Sequence, residues 1–262
     1  MLKVENIYKT FNPNTVNEKR ALNGVSLTLN DGDFVTVIGS NGAGKSTLLN
    51  AIAGVWGVDD GKIMIDDIDI TKLPDYKRAK YIGRVFQDPM TGTAGTMWIE
   101  ENLALARRRG EKRTLKQGIS EKERAEYKEM LKELNLGLED RLTSKVGLLS
   151  GGQRQALTLL MATMQKPKLL LLDEHTAALD PKTAAKVLEL TDKLVKENNL
   201  TTFMVTHNMK DALKYGNRLI MMCDGKIIFD VSGKEKEKLE VKDLLDKFNN
   251  AGGVLSDAMM LG

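Results

Sequence analysis

The sequence predicts an α/β fold built around a mainly parallel sheet. Three observations support this prediction. Short apolar runs, such as Phe34–Ile38 and Leu169–Leu172, have the length of buried strands. Segments with helical periodicity, such as Lys45–Ala53 and Pro181–Asn198, follow these runs along the chain. Because strands that alternate with helices form parallel units, the order of the elements indicates a parallel sheet.

The composition limits the class of protein. A chain of 262 residues is long enough for one large domain. A net charge of only +3 does not call for nucleic acid as the partner. The apolar runs are much shorter than the roughly 20 residues that span a bilayer, and the first residues do not resemble a signal peptide. We therefore expect a cytosolic chain in which Cys223, the single cysteine, is a buried thiol.

The first 87 residues contain several strand patterns. Residues Leu2–Ile7 and Val25–Leu29 alternate apolar and polar side chains, which is typical of half-buried strands. Lys62–Ile65 and Ile68–Ile70 flank a turn and predict a hairpin. Tyr81–Phe86 is a further strand that ends before Gln87.

The middle of the chain is helical. Its predicted helices are Trp98–Arg109, Glu121–Leu134 and Gly151–Gln165. Residues 88–157 are therefore interpreted as a helical insertion into an α/β core that comprises residues 1–87 and 158–231. The core resumes with strand Lys168–Leu172. The later elements are helix Pro181–Asn198, strand Thr201–Val205, helix Met209–Tyr215 and the hairpin Arg218–Cys223 with Lys226–Val231. A tail, residues 232–262, is expected to be helical around Val241–Phe248.

A phosphate-binding loop lies at residues 39–46, which read Gly-Ser-Asn-Gly-Ala-Gly-Lys-Ser. The loop joins a predicted strand to a predicted helix, as this motif requires. Its glycines let the backbone approach phosphate oxygens, and the helix N-terminus adds a favourable partial charge. Lys45 is placed to reach the β- and γ-phosphates. This signal predicts a site for a nucleoside triphosphate.

Two carboxylates follow the apolar strand Leu169–Leu172. Asp173 is expected to hold Mg²⁺, as the equivalent aspartate does in phosphate-loop enzymes. Glu174 comes one residue later and is free to polarise a water molecule in line with the γ-phosphate. Hydrolysis of this kind depends on positioning and charge neutralisation more than on covalent chemistry.

A second phosphate-binding string, Leu-Ser-Gly-Gly-Gln, occupies residues 149–153. Because the chain already has one phosphate loop, a second one is best explained if it serves the nucleotide of another copy. With these motifs in this order, residues 1–230 resemble the ATP-binding-cassette (ABC) ATPases. The resemblance implies one domain over residues 1–262: a phosphate-loop NTPase (RecA-like) α/β core with an N-terminal antiparallel β subdomain and an inserted α-helical subdomain.

The resemblance also implies roles for individual residues. The expected catalytic residues are Glu174, His207, Gln87 and Lys45, and the expected Mg²⁺ ligands are Ser46, Gln87 and Asp173. The expected nucleotide-binding residues are Phe11, Gly39, Ser40, Asn41, Gly42, Ala43, Gly44, Lys45, Ser46, Thr47, Gln87, Ser150, Gly151, Gly152, Gln153, Asp173 and His207. Phe11 would stack on adenine, with Tyr8 as the alternative. Such stacking reads no base edge, so GTP can also serve as substrate.

Three other segments complete the motif analysis. Ala178–Asp180 matches the loop that crosses the dimer interface in this family. His175 stands where the family commonly has proline, and we expect it to have no chemical role. The basic run comprises Arg107, Arg108, Arg109, Lys112, Arg113 and Lys116. It is interpreted as a solvated loop, with a surface near lipid headgroups or the membrane partner as the alternative.

The predicted function is that of the ATP-binding subunit of an ABC transporter. The resemblance implies a homodimer on the inner face of the membrane, with separate permease subunits, a solute-binding protein and no nucleic acid. The string Gln87–Leu105 is similar to ATPases of amino-acid importers. The alternatives are the ATPase of an exporter and a non-transport ABC ATPase. Ribosome-associated members usually carry two cassettes, DNA-repair members need a coiled coil or zinc cysteines, and simple kinases or GTPases lack residues 149–153. A non-enzymatic binding module is disfavoured by Glu174.

Overall fold

The computed structural model describes residues 1–111 and 118–250. Its strands are β1 (Leu2–Phe11), β2 (Lys19–Leu29), β3 (Phe34–Gly39), β4 (Asp60–Ile65), β5 (Ile68–Asp69), β6 (Ile82–Val85), β7 (Leu169–Asp173), β8 (Thr202–Val205), β9 (Arg218–Cys223) and β10 (Lys226–Ser232). Its α-helices are α1 (Lys45–Ala53), α2 (Asp75–Arg78), α3 (Ile99–Arg107), α4 (Glu121–Lys132), α5 (Gly151–Thr163), α6 (Pro181–Glu197), α7 (Met209–Lys214), α8 (Gly233–Glu237) and α9 (Val241–Asn250). A short 3₁₀ helix covers Val146–Leu148.

The strands form two sheets. The smaller sheet has the order β2–β1–β4–β5, and its pairs are antiparallel. The larger sheet has the order β10–β9–β3–β8–β7–β6. All neighbours in it are parallel except β10 and β9. The predicted α/β class with a mainly parallel sheet and an antiparallel N-terminal sheet is confirmed.

Burial explains why the central strands are continuous apolar runs. Every residue of β3 and β8 is buried, because helices cover both faces of a parallel sheet. Helices α3, α4 and α5 have a separate apolar core that includes Leu103, Tyr127, Leu131 and Leu157. Helices α3 and α4 therefore pack on the helical segment, whereas α5 also packs on the larger sheet through Leu159 and Ala162. Among the described residues, none of the helices has both the length and the apolarity of a membrane span.

The structure extends or adds to the predicted elements. Strand β1 continues to Phe11 rather than ending at Ile7, and β2 begins at Lys19 rather than at Val25, because residues 19–23 pair with the second half of β1. Helices α2 and α8 were not predicted, since each is only four or five residues long and has no apolar period. Cys223 is buried, as expected.

The short helix α2 carries Arg78, which connects it to helix α1. Its side chain is buried, and its guanidinium donates to the carbonyls of Ala51 at 2.7 Å and Ile52 at 2.8 Å. It also donates to the carbonyls of Leu73 and Thr71. The first two carbonyls lie at the C-terminus of α1, where helix carbonyls lack partners and carry partial negative charge. Arg78 thus caps the helix that follows the phosphate-binding loop.

Replacing this cap should destabilise the fold. Arg78→Met removes the donor to the Ile52 carbonyl and leaves the Ala51 carbonyl with only the Gly54 N–H, so we expect it to lower the free energy of unfolding by about 2–3 kcal/mol. Denaturant unfolding monitored by circular dichroism measures this change. Lys77→Met is the matched control, because Lys77 is the exposed neighbour on the same short helix. Equal stability of the two variants would contradict the capping role.

Candidate functional site

The parallel register brings the ends of four strands to one edge of the larger sheet. Val37 of β3 pairs with Val205 of β8, and Val205 in turn pairs with Asp173 of β7. Leu172 of β7 pairs with Val85 of β6. The carboxyl ends of β3, β8, β7 and β6 therefore lie side by side. In open α/β sheets, ligands bind at this edge.

The predicted motifs follow these strand ends. The phosphate loop follows β3, and His207 comes two residues after β8. Asp173 ends β7 and Glu174 follows it, whereas Gln87 comes two residues after β6. Residues from four separate parts of the sequence are thus collected at one edge of the sheet.

A cleft of about 320 Å³ opens at this edge. Its lining residues are Phe11, Lys19, Ala21, Ser40, Asn41, Gly42, Ala43, Gly44, Lys45, Ser46, Thr47 and Glu174. All of the predicted loop residues except Gly39 therefore line it. Asp173, Gln87 and His207 lie beyond its lining, and Gln87 is exposed to solvent. The cleft joins a phosphate-binding backbone to a carboxylate and, at the far end, to an aromatic ring.

The loop depends on glycine at Gly44. This residue precedes α1 with φ +100°, in the left-handed region that side chains disfavour. A side chain here would also come within 2.5 Å of the Ala21 carbonyl oxygen. Glycine lets the first turn of α1 approach the cleft, so that its free N–H groups can bind an anion.

Lys45 is held at the cleft by the loop itself. The residue is only 5% exposed, and its Nζ donates to the carbonyls of Gly39 at 2.6 Å and Ser40 at 3.1 Å. Burial lowers the pKa of the lysine, while the nearby carboxylates of Glu174 and Asp173 oppose that change. The lysine is a fixed cation beside the loop, which is the charge that a polyphosphate requires.

Asp173 shares its environment with an arginine that the motif analysis missed. Burial raises the pKa of Asp173, and Arg84, whose Nη2 lies 3.4 Å from Oδ2, opposes this shift. The same Nη2 donates to Asn50 Oδ1 at 2.8 Å, and Asn50 Nδ2 donates to the Ser46 carbonyl. Arg84 therefore connects the strand of Asp173 to helix α1. A charged residue within the short apolar strand Ile82–Val85 was the available signal.

The residues present fit Mg²⁺. Ser46, Gln87 and Asp173 offer a hydroxyl, an amide and one carboxylate, all of which can bind through oxygen. Within residues 1–111 and 118–250, no group of three or more acidic, histidine or cysteine side chains could form a closed metal cage. Mg²⁺ typically binds through one or two carboxylates together with phosphate oxygens and water. The donor set suits that cation.

Glu174 and His207 form a pair beside the cleft. The Glu174 Oε2 lies 3.7 Å from the His207 Nδ1. The imidazole lowers the pKa of Glu174 despite partial burial, and the carboxylate raises the pKa of His207. Glu174 is therefore ionised at neutral pH, as a residue that accepts a proton must be.

The aromatic end of the cleft distinguishes between the two candidate rings. Phe11 lines the cleft and packs edge-to-face on Trp56, with 4.8 Å between ring centroids. Tyr8 does not line it, and its hydroxyl is directed towards Gly24, where a side chain would meet it at 2.9 Å. The geometry favours Phe11 as the base-stacking residue.

Lys19 is a further cleft residue that the motif analysis missed. It pairs with Phe11 across the β1–β2 ladder, so both side chains lie on one face of the sheet. A side chain at Gly42 would come within 2.9 Å of the Lys19 Nζ, which places this amine beside the phosphate loop. The alternation of Lys19 with Ala21, which also lines the cleft, was the available signal.

The second phosphate-binding string lies apart from the cleft. Ser150 caps α5, where the Gln153 N–H donates to the Ser150 Oγ at 3.3 Å and the Ser150 N–H donates to the Gln153 side chain at 3.2 Å. Ser150 and Gly151 are exposed, and neither Gly152 nor Gln153 lines the cleft. The N-terminus of α5 is thus accessible to another molecule, with its free N–H groups available for an anion.

His175 is a buried core residue. Its Nε2 lies 3.0 Å from the Thr191 Oγ1, and that hydroxyl donates its own proton to the Val187 carbonyl. His175 therefore donates to Thr191. Burial lowers the pKa of His175 to about 4, so the ring is neutral at physiological pH. Nearby, Asp180 caps helix α6 by accepting from the Thr183 N–H at 3.1 Å.

The basic run is occupied by intramolecular contacts where the structure describes it. Arg107 pairs with Glu126, and Arg108 pairs with Glu123 at 2.7 Å. Arg109 donates to the carbonyl of Ala162. These contacts serve the packing of the helical segment. The other members of the run, Lys112, Arg113 and Lys116, lie outside the described residues.

Comparisons with known sequences agree with this site. Residues 22–177, more than half of the chain, match the family described as ABC transporter. The chain is similar to a tyrosine transport ATP-binding protein of Clostridioides difficile, with 49% identity over 96% of this chain and 100% of that protein. It is 36% identical to an energy-coupling factor transporter ATP-binding protein of Clostridium acetobutylicum, over 94% of this chain and 84% of that one.

Solved structures give the same result. One is a dimeric ATP-binding cassette in a post-hydrolysis state with ADP and Pi. It matches this chain with a TM-score of 0.75 and 32% identity, and the match covers 88% of this chain and 98% of that one. Another is the ADP conformation of an ABC transporter cassette, with a TM-score of 0.77 and 30% identity over 95% and 98%. The chain belongs to the ABC transporter family as an ATP-binding subunit, and it binds and hydrolyses ATP in transport.

Proposed function

We propose that two copies of this chain enclose two ATP molecules at their interface. One copy supplies the cleft, and the other supplies the exposed N-terminus of α5 at Ser150 and Gly151. The main observation in support of this proposal is that the two predicted phosphate-binding segments lie apart within one chain. Residues 40–46 of the loop line the cleft, while residues 150–153 lie outside it, with Ser150 and Gly151 exposed. The dimeric post-hydrolysis structure of a relative supports this arrangement.

Each residue of the cleft has a proposed task. Lys45 neutralises the β- and γ-phosphates. Glu174 orients a water molecule and accepts its proton. His207, which is paired with Glu174, donates a hydrogen bond to the γ-phosphate. Ser46, Thr47, Gln87 and Asp173 complete the phosphate and metal contacts. Bound Mg²⁺, held by Ser46, Gln87 and Asp173, neutralises phosphate charge.

The adenine end offers little base discrimination. Phe11 stacks on the base, and stacking contributes roughly 1–3 kcal/mol whichever base is present. Its edge-to-face contact with Trp56 holds the ring in place. GTP is therefore an acceptable substitute for ATP.

The transport assignment concerns partners outside this chain. The subunit acts at the inner face of the membrane on separate permease subunits, and an extracytoplasmic solute-binding protein delivers the solute. The direction is import, and the solute is a small molecule of the amino-acid type. The names of similar ATP-binding proteins support this assignment, since one is named for tyrosine transport, another for spermidine/putrescine import and a third for phosphonates import. The division into a core (1–87 and 158–231), a helical subdomain (88–157) and a tail (232–262) belongs to this proposal.

The first test removes the proton acceptor. Glu174→Gln keeps the size of the side chain but weakens its basicity, so we expect turnover to fall by about 10²–10⁴-fold while ATP binding is retained. Phosphate release measures turnover, and a fluorescent nucleotide measures binding. Glu189→Gln is the control, because Glu189 is an exposed glutamate on α6. Near-normal hydrolysis by Glu174→Gln would refute the assignment of the base.

The second test blocks the interface. In the Glu174→Gln background, Ser150→Arg should prevent the ATP-dependent dimer and leave the ATP affinity of the monomer nearly unchanged, because the serine contacts the nucleotide of the other copy. Size-exclusion chromatography with multi-angle scattering measures the dimer. Ser120→Arg is the matched control, since Ser120 caps α4 in the same way. A large loss of monomer affinity in Ser150→Arg would argue against a contact in trans.

The third test concerns the partner and the solute. We expect the tagged chain to co-purify with a multispanning membrane protein. When this chain, that membrane protein and their solute-binding receptor are expressed together in a host that has no other tyrosine importer, the host should take up labelled tyrosine. The Glu174→Gln variant should abolish this uptake. Recovery of ribosomes or DNA in place of a membrane protein would overturn the transport assignment, and uptake of a different solute would overturn the amino-acid assignment.

A further inference from the structure

Gln155 lies in the first half of α5 and is completely buried. Its side-chain Nε2 donates to the carbonyl of His175 at 2.6 Å and to the carbonyl of Phe86 at 3.1 Å. Both partners are carbonyl acceptors, so they determine which end of the amide carries the nitrogen. His175 directly follows Glu174, and Phe86 directly precedes Gln87. One side chain thus contacts the main chain beside two of the predicted catalytic residues.

The backbone at Glu174 needs such support. Its φ is +43°, in the left-handed region that a residue other than glycine rarely adopts. An unfavourable conformation of this kind persists only when the surrounding structure fixes it, and it is common at functional sites. The Glu174 N–H donates to the Val205 carbonyl at 3.0 Å, and the Glu174 carbonyl accepts from the Ala177 N–H at 2.9 Å. The contact from Gln155 holds the next peptide group.

Burying the amide of Gln155 at this position costs free energy. Its Oε1 is buried and has no hydrogen-bond partner among the described residues. A methionine of similar size would fill the same volume without burying an unpaired oxygen, because apolar atoms need no partner. The donor function of the Nε2 is therefore the physical reason for an amide at this position.

Helix α5 links this contact to the second phosphate-binding string. Ser150 caps the helix, and Gln155 follows five residues later, about 7.5 Å along the axis at 1.5 Å per residue. Continuous backbone hydrogen bonds join these two residues within the helix. Gln155 therefore connects the N-terminus of α5 to the carbonyl of His175, the residue next to Glu174.

We propose that Gln155 is a positioning residue that ties the carboxylate of Glu174 to helix α5, so that docking of the helix N-terminus on the nucleotide of the other copy sets the carboxylate for hydrolysis in its own cleft. This inference rests on the proposed roles of Glu174 and Ser150. It assigns to α5 a connection between the two sites of the dimer.

The test replaces the amide by an apolar side chain of similar length. Gln155→Met should lower kcat by about 10- to 100-fold, the loss that a displacement of about 1 Å produces in a reacting group. The KM for ATP and the affinity for a fluorescent ATP analogue should stay within about twofold, because the phosphate loop is untouched. Thr163→Val is the control. Thr163 is buried in the same helix, but its hydroxyl donates only to carbonyls of α5, so we expect normal kcat.

Two further measurements separate positioning from a general structural role. In Gln155→Met, amide hydrogen exchange should quicken at Glu174 and Ala177, whereas the amides of α5 keep their protection. Combined with Glu174→Gln, Gln155→Met should add little further loss of kcat, because both changes act through one carboxylate. If Gln155→Met does not fold, Gln155→Leu serves instead, since this smaller apolar side chain also cannot donate to the two carbonyls.

The outcomes separate this inference from the proposed function. Normal kcat in a folded Gln155→Met or Gln155→Leu protein, while Glu174→Gln is inactive, would overturn the positioning role alone. Losses that multiply fully in the double variant, or equal losses in Thr163→Val, would also overturn it. Normal hydrolysis by Glu174→Gln would instead overturn the proposed function of the site.

Discussion

The alignment of four parallel strands is the constraint on which the site depends. In this register, Val37 and Asp173 both pair with Val205, Val85 pairs with Leu172, and each predicted catalytic segment begins at or just beyond these residues. A shift of one residue in any pair would turn the side chains of that strand to the opposite face. The complete burial of β3 and β8 opposes such a shift, since each buried side chain would then have to repack against different neighbours in a close-packed core. The core thus fixes the geometry of the phosphate site.

Charge balance is the second property of this edge. Lys45, Asp173, Glu174, Arg84 and His207 lie close together and are partly or wholly buried. Burial disfavours each of these charges, and the neighbour of opposite sign offsets part of that cost. The site therefore contains both signs of charge before any nucleotide is considered. A polyphosphate adds negative charge where Lys45 and the first turn of α1 offer donors, and so the two are complementary.

Helix α5 connects the helical segment to the α/β core. One set of its apolar residues, including Leu157, packs with α3 and α4, whereas Leu159 and Ala162 pack with strands of the larger sheet. Gln155 adds a polar contact, because this buried amide donates to main-chain carbonyls of the core. Helix α5 also lies close to α6, since a side chain at Gly152 would meet Thr183 at 2.2 Å. Close-packed contacts of this kind couple the position of α5 to that of the core, because neither side can shift without displacing the other.

The sequence by itself determined the fold class, the helices and strands of the core and the cluster of motifs, because each of these depends on local patterns. Residues 39–46 and 173–174 could be read from spacing alone, since glycine, lysine and carboxylates perform the same chemistry wherever a strand ends. The tertiary structure decided what depends on distant neighbours. It placed Phe11, and not Tyr8, in the lining of the cleft, and it brought Lys19, Arg84 and Gln155 to the site from strands and helices whose local patterns give only weak signals of such a role. It also separated residues 150–153 from the cleft, because the helical segment presents them away from the loop of their own chain. Partners and burial at these positions are properties of the folded chain, and no local pattern of residues encodes them.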